Sequence, residues 1–222
     1  MSSAEYQGNL QSATDGAAPK VSAAAAKRAF DLFLALLFLP VILPIILTLA
    51  VLTLMDGGPA FFGHKRVGQN DQTFRCWKIR TMIPNAEAVL QKHLAENPEA
   101  AAEWASDYKL NDDPRITRIG HFLRQTSLDE LPQIWNVLRG EMSFVGPRPV
   151  TRVELEKYRG YEWCYLSVKP GITGLWQVSG RNDVNYAERV QMDAAYLSSH
   201  SLVQDVSIIF RTAGAVLNRT GK

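Results

Sequence analysis

The sequence predicts a mostly helical α+β protein with one membrane-embedded helix, a small β-hairpin and amphipathic helices at the membrane surface. Residues 32–55 carry no charge over 24 consecutive positions, which is typical of a helix embedded in a bilayer. Residues 60–82 predict two strands around a Gly-Gln-Asn-Asp turn. The C-terminal segment SLVQDVSIIFRTAGAVLNR repeats apolar residues at helical spacing, which indicates an amphipathic helix.

The apolar segment predicts a helix of about 36 Å, enough to cross a hydrocarbon core of about 30 Å. Pro40 and Pro44 lie in its middle, and each removes a backbone donor and bends a helix. Basic residues flank both ends, so charge alone does not place the ends on opposite sides of the membrane. A re-entrant helix and a kinked spanning helix are equally compatible with these residues. Asp31, near the start, is expected to pair with Lys27 or Arg28.

Composition excludes several other functions. The net charge of +2 gives no general argument for nucleic-acid binding. Cys76 and Cys164 do not have the spacing of zinc ligands, and we expect them to be buried reduced thiols. The small and polar residues 1–26 predict a disordered tail.

The hairpin strands are predicted at Ala60–Arg66 and Thr73–Met82, with five basic residues whose simplest interpretation is a solvated face. Anionic lipid headgroups and a phosphate-bearing ligand are alternatives. A helix is expected after Pro84, with an interruption at Pro98.

Further helix starts follow from local residues. Asp113 is expected to cap a helix that begins at Pro114, in which His121 is a packed rather than a catalytic histidine. Ser201 and Gln204 predict a capping box for the last helix. This helix either faces the core or lies in the membrane interface.

The stretch SLDELPQIWNVLRGEMSFVGPRP contains the acidic pair Asp129 and Glu130. Ser127 and Glu130 fit a capping box, and acidic side chains favour a helix N-terminus on electrostatic grounds alone. Pro132 favours either a later start, which would leave Asp129 at the mouth of the helix, or a kink near Pro132. A structural role is therefore the simplest interpretation of the pair.

A chemical role is the alternative, because arginines also surround the pair in sequence. Carboxylates bind Mg²⁺, arginines bind phosphate oxygens bidentately, and a carboxylate can act as a nucleophile in phosphoryl transfer. The chain contains neither a P-loop nor a dinucleotide-binding glycine pattern.

Four stretches settle this choice by resemblance: KRAFD, FRCWKIRTM, SLDELPQIWNVLRGEMSFVGPRP and KPGITGLWQVSGRN. Their order is that of the bacterial sugar transferases, the monotopic polyprenyl-phosphate phosphoglycosyl transferases. The resemblance extends from about Lys27 to the C-terminus, and in length the chain resembles the small, catalytic-unit form. It implies an enzyme on the cytoplasmic face of the bacterial inner membrane. The enzyme would transfer a sugar 1-phosphate from a UDP-sugar, by analogy UDP-galactose or UDP-glucose, to undecaprenyl phosphate and release UMP.

The resemblance also implies roles for individual residues. Asp129 matches the nucleophile that carries a covalent phosphosugar. Glu130 matches the second acid of the pair, which is either a Mg²⁺ ligand or a proton-handling partner. Both would contribute to a Mg²⁺ site that keeps Asp129 ionised. Five basic residues match positions that bind phosphate or line the polar site: Arg124, Arg148, Lys78, Arg80 and Arg181.

The membrane segment of this family is a re-entrant helix broken at a Ser-Pro pair. Here the matching residues are Leu43 and Pro44, so the proline is kept and the serine is missing. Together with the two basic flanks, this match favours the re-entrant path. We therefore predict a tail at 1–26, a re-entrant helix at 27–57 and a cytoplasmic catalytic domain at 58–222. The expected partners are the UDP-sugar, undecaprenyl phosphate and membrane lipid, and the family is compatible with a homodimer.

Two other functions are considered. A non-catalytic, membrane-anchored scaffold of polysaccharide assembly would need Asp129 only to start a helix, and the intact pair with its arginines disfavours it. A spanning enzyme that joins both substrates directly is disfavoured by the single apolar segment.

Overall fold

A computed structural model describes residues 21–107, 110–179 and 184–217, and helix predominates among them, as the fold class predicted. The strands form two small sheets, β1–β2 and β3–β4. In chain order the elements are α1 (Val21–Leu54), β1 (Phe61–Val67), β2 (Thr73–Ile79), α2 (Ala86–Glu96), α3 (Pro98–Asp107), α4 (Arg118–Thr126), α5 (Gln133–Arg139), β3 (Ser143–Val145), α6 (Arg152–Leu155), α7 (Glu162–Leu166), β4 (Gly171–Thr173), α8 (Leu175–Ser179), α9 (Tyr186–Ser198) and α10 (Leu202–Leu217).

Helix α1 is the one helix in these ranges that is long and apolar enough to cross a membrane, with a mean hydropathy of 2.9 over the most apolar 18-residue window of Ala24–Leu54. Only 17% of its most apolar window is buried by protein, so its surface is suited to lipid. It begins before the predicted boundary at residue 27 and continues as helix through Pro40 and Pro44. The hydroxyl of Thr48 donates to the carbonyl of Pro44 at 3.0 Å, next to the predicted break. The re-entrant path itself stays a prediction.

Clustering of contacts divides the chain into two units. Among the described residues, the first contains those up to Val41, Gly63–Trp77 and those from Gln133 onward, and the second contains Ile42–Phe62 and the described part of Lys78–Pro132. This division cuts across the predicted boundary between membrane helix and catalytic domain.

The first unit has two apolar clusters around a parallel β3–β4 pair, in which Ser143 lies opposite Gly171. One cluster contains Val67, Val150, Leu155, Tyr158, Tyr165 and Val190. The other contains Val145, Tyr196 and Ile208. Cys76 and Cys164 are buried and free, as predicted.

A buried polar network holds the start of α1 in this unit. Asp31 is 1% exposed and pairs with Lys27 at 3.1 Å, which confirms one of the two predicted partners. The same carboxylate accepts from the hydroxyl of Ser143 at 3.0 Å and from the amide of Phe144 at 3.1 Å. Lys27 also pairs with the buried Asp205 of α10 at 3.1 Å. Because each buried charge has a partner, the network fixes this end of α1 without an unpaired ion.

The end of α1 is bound by Arg80 within the second unit. Four of the five guanidinium N–H groups donate to backbone carbonyls, those of Thr53, Gly57, Pro59 and Met82. The last carbonyls of a helix have no hydrogen-bond donor within the helix. Arg80 supplies a donor for the carbonyl of Thr53. Arg80 was predicted to line the substrate site. In the structure this 7% exposed residue holds the helix end, and its role at a substrate site stays a prediction.

Local predictions succeeded where chain-breaking residues decide the structure. The hairpin forms at the predicted place, and α2 and α3 are separated just before Pro98. The hydroxyl of Ser201 accepts from the amide of Gln204 at 3.2 Å, so the predicted cap of α10 forms on this side. Val203 and Phe210 of α10 are 81% and 72% exposed, an arrangement compatible with the predicted interfacial helix.

Two predictions about α4 were wrong. Thr117 is its N-cap and accepts from the amide of Gly120, whereas Asp113 binds Arg115 through both carboxylate oxygens. The nearby arginine therefore captures the carboxylate that was expected to cap the helix. His121 is exposed and not packed.

Candidate active site

The acidic pair lies on a single turn of 3-10 helix, Leu128–Glu130, between α4 and α5. Ser127 has a left-handed conformation (φ 57°) and ends α4, and its side chain makes no capping bond. Helix α5 begins only at Gln133, directly after Pro132. The predicted capping box and the predicted position of Asp129 at a helix mouth are therefore both wrong. The left-handed residue turns the chain before a longer helix can start.

Apolar packing fixes the position of this turn. Leu128 and Leu131 pack against a cluster formed by Leu49 of α1, Ile79 of β2 and Leu123 of α4. Leu123 is fully buried and Ile79 is 1% exposed. Because leucines on both sides of the pair are held by this cluster, the two carboxylates have a fixed position.

Lys78 binds both carboxylates. Its ammonium lies 2.6 Å from a Glu130 oxygen and 3.4 Å from an Asp129 oxygen. The Asp129 side chain is 11% exposed and that of Glu130 is 17% exposed, so the three charges share a poorly solvated space. The family resemblance had made Lys78 only one of several basic candidates; the structure places it in direct contact with the pair.

The pKa of Asp129 is raised above the ordinary value of an aspartate. Burial is the main cause, and the negative charge of Glu130 adds to it, whereas Lys78 and Arg124 oppose the shift. The expected ionised Asp129 relied on a nearby metal ion. With protein groups alone, desolvation outweighs the cations, and the carboxylate gains its negative charge at a higher pH than a free aspartate.

Arg124 approaches the pair from α4. Its Nε donates to the hydroxyl of Thr81 at 3.0 Å, and its charge acts on Asp129 and on Asp113. Its two terminal amino groups make no hydrogen bond to the residues that the structure describes, and this leaves them able to bind a planar or tetrahedral anion bidentately.

Thr81 and Gly120 position this arginine, and sequence reasoning missed both. The carbonyl of Thr81 accepts from the amide of Thr117, and its hydroxyl holds Arg124. A Cβ on Gly120 would lie 2.1 Å from the Thr81 carbonyl oxygen, so only glycine allows α4 to approach this closely. A single glycine in a helical segment does not indicate from the sequence that another segment packs closely against it.

Asp113 and Arg115 fix the segment before α4. Two hydrogen bonds, of 2.8 and 2.6 Å, join their side chains, and the guanidinium lies 4.9 Å from the Trp104 ring centroid. Burial would raise the pKa of Asp113, but its bonds from Arg115 hold the pKa below the ordinary value. The amide of Ile83 binds the carbonyl of Arg115, which aligns this segment with the chain that follows β2.

The roles of Arg148 and Arg181 at the site stay predictions. Arg148 belongs to the first unit, where its charge helps to lower the pKa of Glu154. Arg181 lies outside the described residues.

The donors present fit part of a magnesium site. The described residues contain no group of three or more histidine, cysteine or acidic side chains that could hold a metal ion. Mg²⁺ is nevertheless commonly bound by one or two carboxylates together with water and substrate phosphates. Asp129 and Glu130 supply such a pair.

A comparison with protein families matches residues 22–219 to the bacterial sugar transferase model. The chain belongs to the bacterial sugar transferase family. The match covers both units and the acidic pair, and it confirms the resemblance found in the sequence motifs.

Several curated relatives are named for sugar transfer to a lipid carrier or for exopolysaccharide production. A UDP-galactose-lipid carrier transferase from Erwinia amylovora is 54% identical over 88% of this chain and 41% of the relative. An undecaprenyl-phosphate galactose phosphotransferase from Salmonella typhimurium is 50% identical over the same shares. The exopolysaccharide production protein ExoY from Sinorhizobium fredii is 51% identical over 86% of this chain and 84% of the relative. The chain thus spans about two fifths of the first two relatives and most of the third.

The close approach at Gly120 predicts a matched pair of effects on stability. Gly120→Ala should lower the melting temperature by about 2–12 °C, because its Cβ meets a backbone oxygen and overpacking costs about 1–3 kcal/mol. Gly214→Ala in α10 is the control, since a Cβ there meets nothing within 4 Å. Its melting temperature should stay the same or rise slightly, because alanine favours helix over glycine. Thermal unfolding in detergent measures both, and equal melting temperatures for the two variants would contradict the close approach.

Proposed function

We propose that this protein transfers a hexose 1-phosphate from a UDP-sugar to undecaprenyl phosphate and releases UMP, as a membrane step of exopolysaccharide or other glycoconjugate assembly. The observation that carries the proposal is the nearly buried Asp129, which is joined to Glu130 by Lys78 and approached by Arg124. A pair that only started a helix would not need this arrangement, and no helix starts at Asp129.

The reaction would proceed in two displacements at one carboxylate. An Asp129 oxygen attacks the phosphorus that bears the sugar, and the bond from this phosphorus to the bridging oxygen breaks, so that UMP leaves with the electron pair. An oxygen of undecaprenyl phosphate then attacks the same phosphorus. This second displacement forms the lipid diphosphate sugar and frees Asp129. No proton has to be transferred in either step.

The neighbouring residues have distinct roles in this scheme. Lys78 holds the two carboxylates in place and favours the ionised form of Asp129. The free terminal nitrogens of Arg124 would bind phosphate oxygens of the donor. Asp129 and Glu130 would hold Mg²⁺, which when bound neutralises the charge of the diphosphate.

The sugar is proposed to be galactose or glucose. The names of the Erwinia and Salmonella relatives contain galactose, and this favours galactose. A panel of UDP-sugars in a UMP-release assay tests the assignment, and turnover of only N-acetylated sugars would contradict it.

We also propose that α1 enters the cytoplasmic face of the inner membrane and returns to it. Basic residues flank both ends of its apolar run, so charge does not place the two ends on opposite sides of the membrane. Pro44 matches the proline at which the family's re-entrant helix is broken. These two features support a path that begins and ends on one face.

A covalent adduct on Asp129 is the first expected outcome. Purified protein incubated with a labelled UDP-sugar and Mg²⁺, without lipid acceptor, should yield a phosphosugar on the Asp129 peptide by mass spectrometry. Asp129→Asn should form none and lose activity on the order of a thousandfold or more, the range seen when a nucleophile is removed. EDTA should suppress the adduct, and the exposed-residue control Asp56→Asn should retain it.

Other results of that experiment identify the alternatives. Turnover by Asp129→Asn without an adduct would show direct transfer between the substrates. Absence of turnover by the wild type with every UDP-sugar would favour a scaffold.

The acid limb of the pH profile of adduct formation should depend on Lys78. Adduct formation needs an ionised Asp129, and the ammonium lowers the pKa of this carboxyl. Lys78→Gln removes that charge, raises the pKa and should move the acid limb to higher pH, whereas Lys78→Arg should move it less. The limb reports the coupled pair of carboxyls rather than Asp129 alone. Lys92→Gln, at an exposed site, is the control, and an unshifted limb in Lys78→Gln would contradict the proposed role.

Labelling of single cysteines tests the path of α1. Ala24→Cys and Asp56→Cys are exposed positions beyond the two ends of the apolar run, and both native thiols are buried. In intact spheroplasts an impermeant maleimide should leave both unlabelled, and permeabilisation should expose both together. Labelling of only one before permeabilisation would indicate a spanning helix.

A further inference from the structure

Two cationic side chains of the first unit face one spot beside the start of α1. A Cβ built on Gly140 would lie 3.5 Å from the Arg28 guanidinium and 3.5 Å from the Lys169 ammonium. The two groups are therefore no more than about 7 Å apart. Gly140 has a φ of +79°, and because it has no side chain the spot in front of both cations stays open.

Lys169 has no ionic partner among the described residues, although it is only partly exposed. Its neighbours Lys27 and Arg28 already have partners. Lys27 pairs with Asp31 and Asp205. Arg28 donates one N–H from each terminal nitrogen to the carbonyls of Val137 and Leu138, and its guanidinium has three further N–H groups. Burial lowers the pKa of Lys169, and the positive charge of Arg28 lowers it further, while Asp31 opposes this shift. A half-buried ammonium beside like charges is unfavourable unless an anion joins it.

The end of α5 does not account for both cations. The terminal carbonyls of a helix attract positive charge, and Arg28 already binds two of them. Lys169 makes no hydrogen bond to the described carbonyls of α5, so it adds a charge that the helix end does not need.

The position of this pair in the chain indicates the source of the anion. Arg28 precedes Leu32, the first residue of the 24-residue uncharged run, by four residues. In a membrane helix this is the depth of the lipid headgroups, where anionic lipids attract basic side chains. A phosphate oxygen accepts well from both a guanidinium and an ammonium.

We propose that Arg28 and Lys169, on either side of Gly140, form a binding site for the phosphate of an anionic membrane phospholipid. The site consists of first-unit residues and does not depend on the proposed transfer reaction. Its occupant balances the charge of Lys169 and thereby stabilises the packing of α1 on the first unit.

The test compares full-length protein in two kinds of nanodisc, one of phosphatidylcholine alone and one that also contains phosphatidylglycerol. Phosphatidylglycerol should raise the melting temperature of the wild type and of Lys169→Arg by about 2–4 °C. Lys169→Gln should lose this gain. In phosphatidylcholine alone Lys169→Gln should be at least as stable as the wild type, because repulsion from Arg28 is removed. Lys157→Gln, at an exposed residue of the same unit, is the matched control and should keep the gain.

Two results would overturn the proposal. An equal gain from phosphatidylglycerol in the wild type and in Lys169→Gln would show that Lys169 binds no headgroup. If inorganic phosphate added to phosphatidylcholine nanodiscs reproduced the full gain, the site would belong to a soluble phosphate rather than to a lipid.

Discussion

The structure depends on the hydrogen bonds and ion pairs made by the polar groups at the two ends of one apolar helix, α1. The surface of α1 suits lipid, but its terminal carbonyls and its flanking charges do not. At the start of α1, Lys27 and Asp31 form an ion pair, and Asp31 also accepts hydrogen bonds from Ser143 and Phe144. At its end, the Arg80 guanidinium donates four hydrogen bonds to backbone carbonyls. The water-facing part of the chain is thereby attached at both ends of the apolar run.

The acidic pair shows the opposite balance, since its charges are only partly compensated. Burial raises the pKa of Asp129 even though Lys78 and Arg124 are near. A fully paired aspartate such as Asp113, with two bonds from Arg115, has a lowered pKa instead. Incomplete compensation suits the nucleophilic role proposed for Asp129, whereas the complete compensation of Asp113 suits a structural role. Perturbed groups of the first kind are the ones typical of functional sites.

The sequence predicted elements that depend on composition or on chain-breaking residues. The apolar helix, the hairpin and the break before Pro98 belong to this class, because each is determined by residues that are adjacent in the chain. It could not predict that Arg80 binds the end of α1 or that Arg115 takes the carboxylate of Asp113, since these contacts depend on which segments meet. The left-handed Ser127 likewise has no local sign. The acidic pair was visible in the sequence and its chemical role came from the family resemblance, whereas Thr81 and Gly120 became visible only as contacts.

The last two residues of β2 and the position after it serve three different parts of the second unit. Lys78 binds the acidic pair, Ile79 enters the cluster with Leu49 and Leu123, and Arg80 holds the end of α1. Side chains of a strand alternate between its two faces, so a shift by one residue would misplace all three. Insertions and deletions should therefore be excluded from this stretch during evolution, although the turn at residues 68–72 can vary in length. Lengths of homologous chains should differ at that turn and not beyond it.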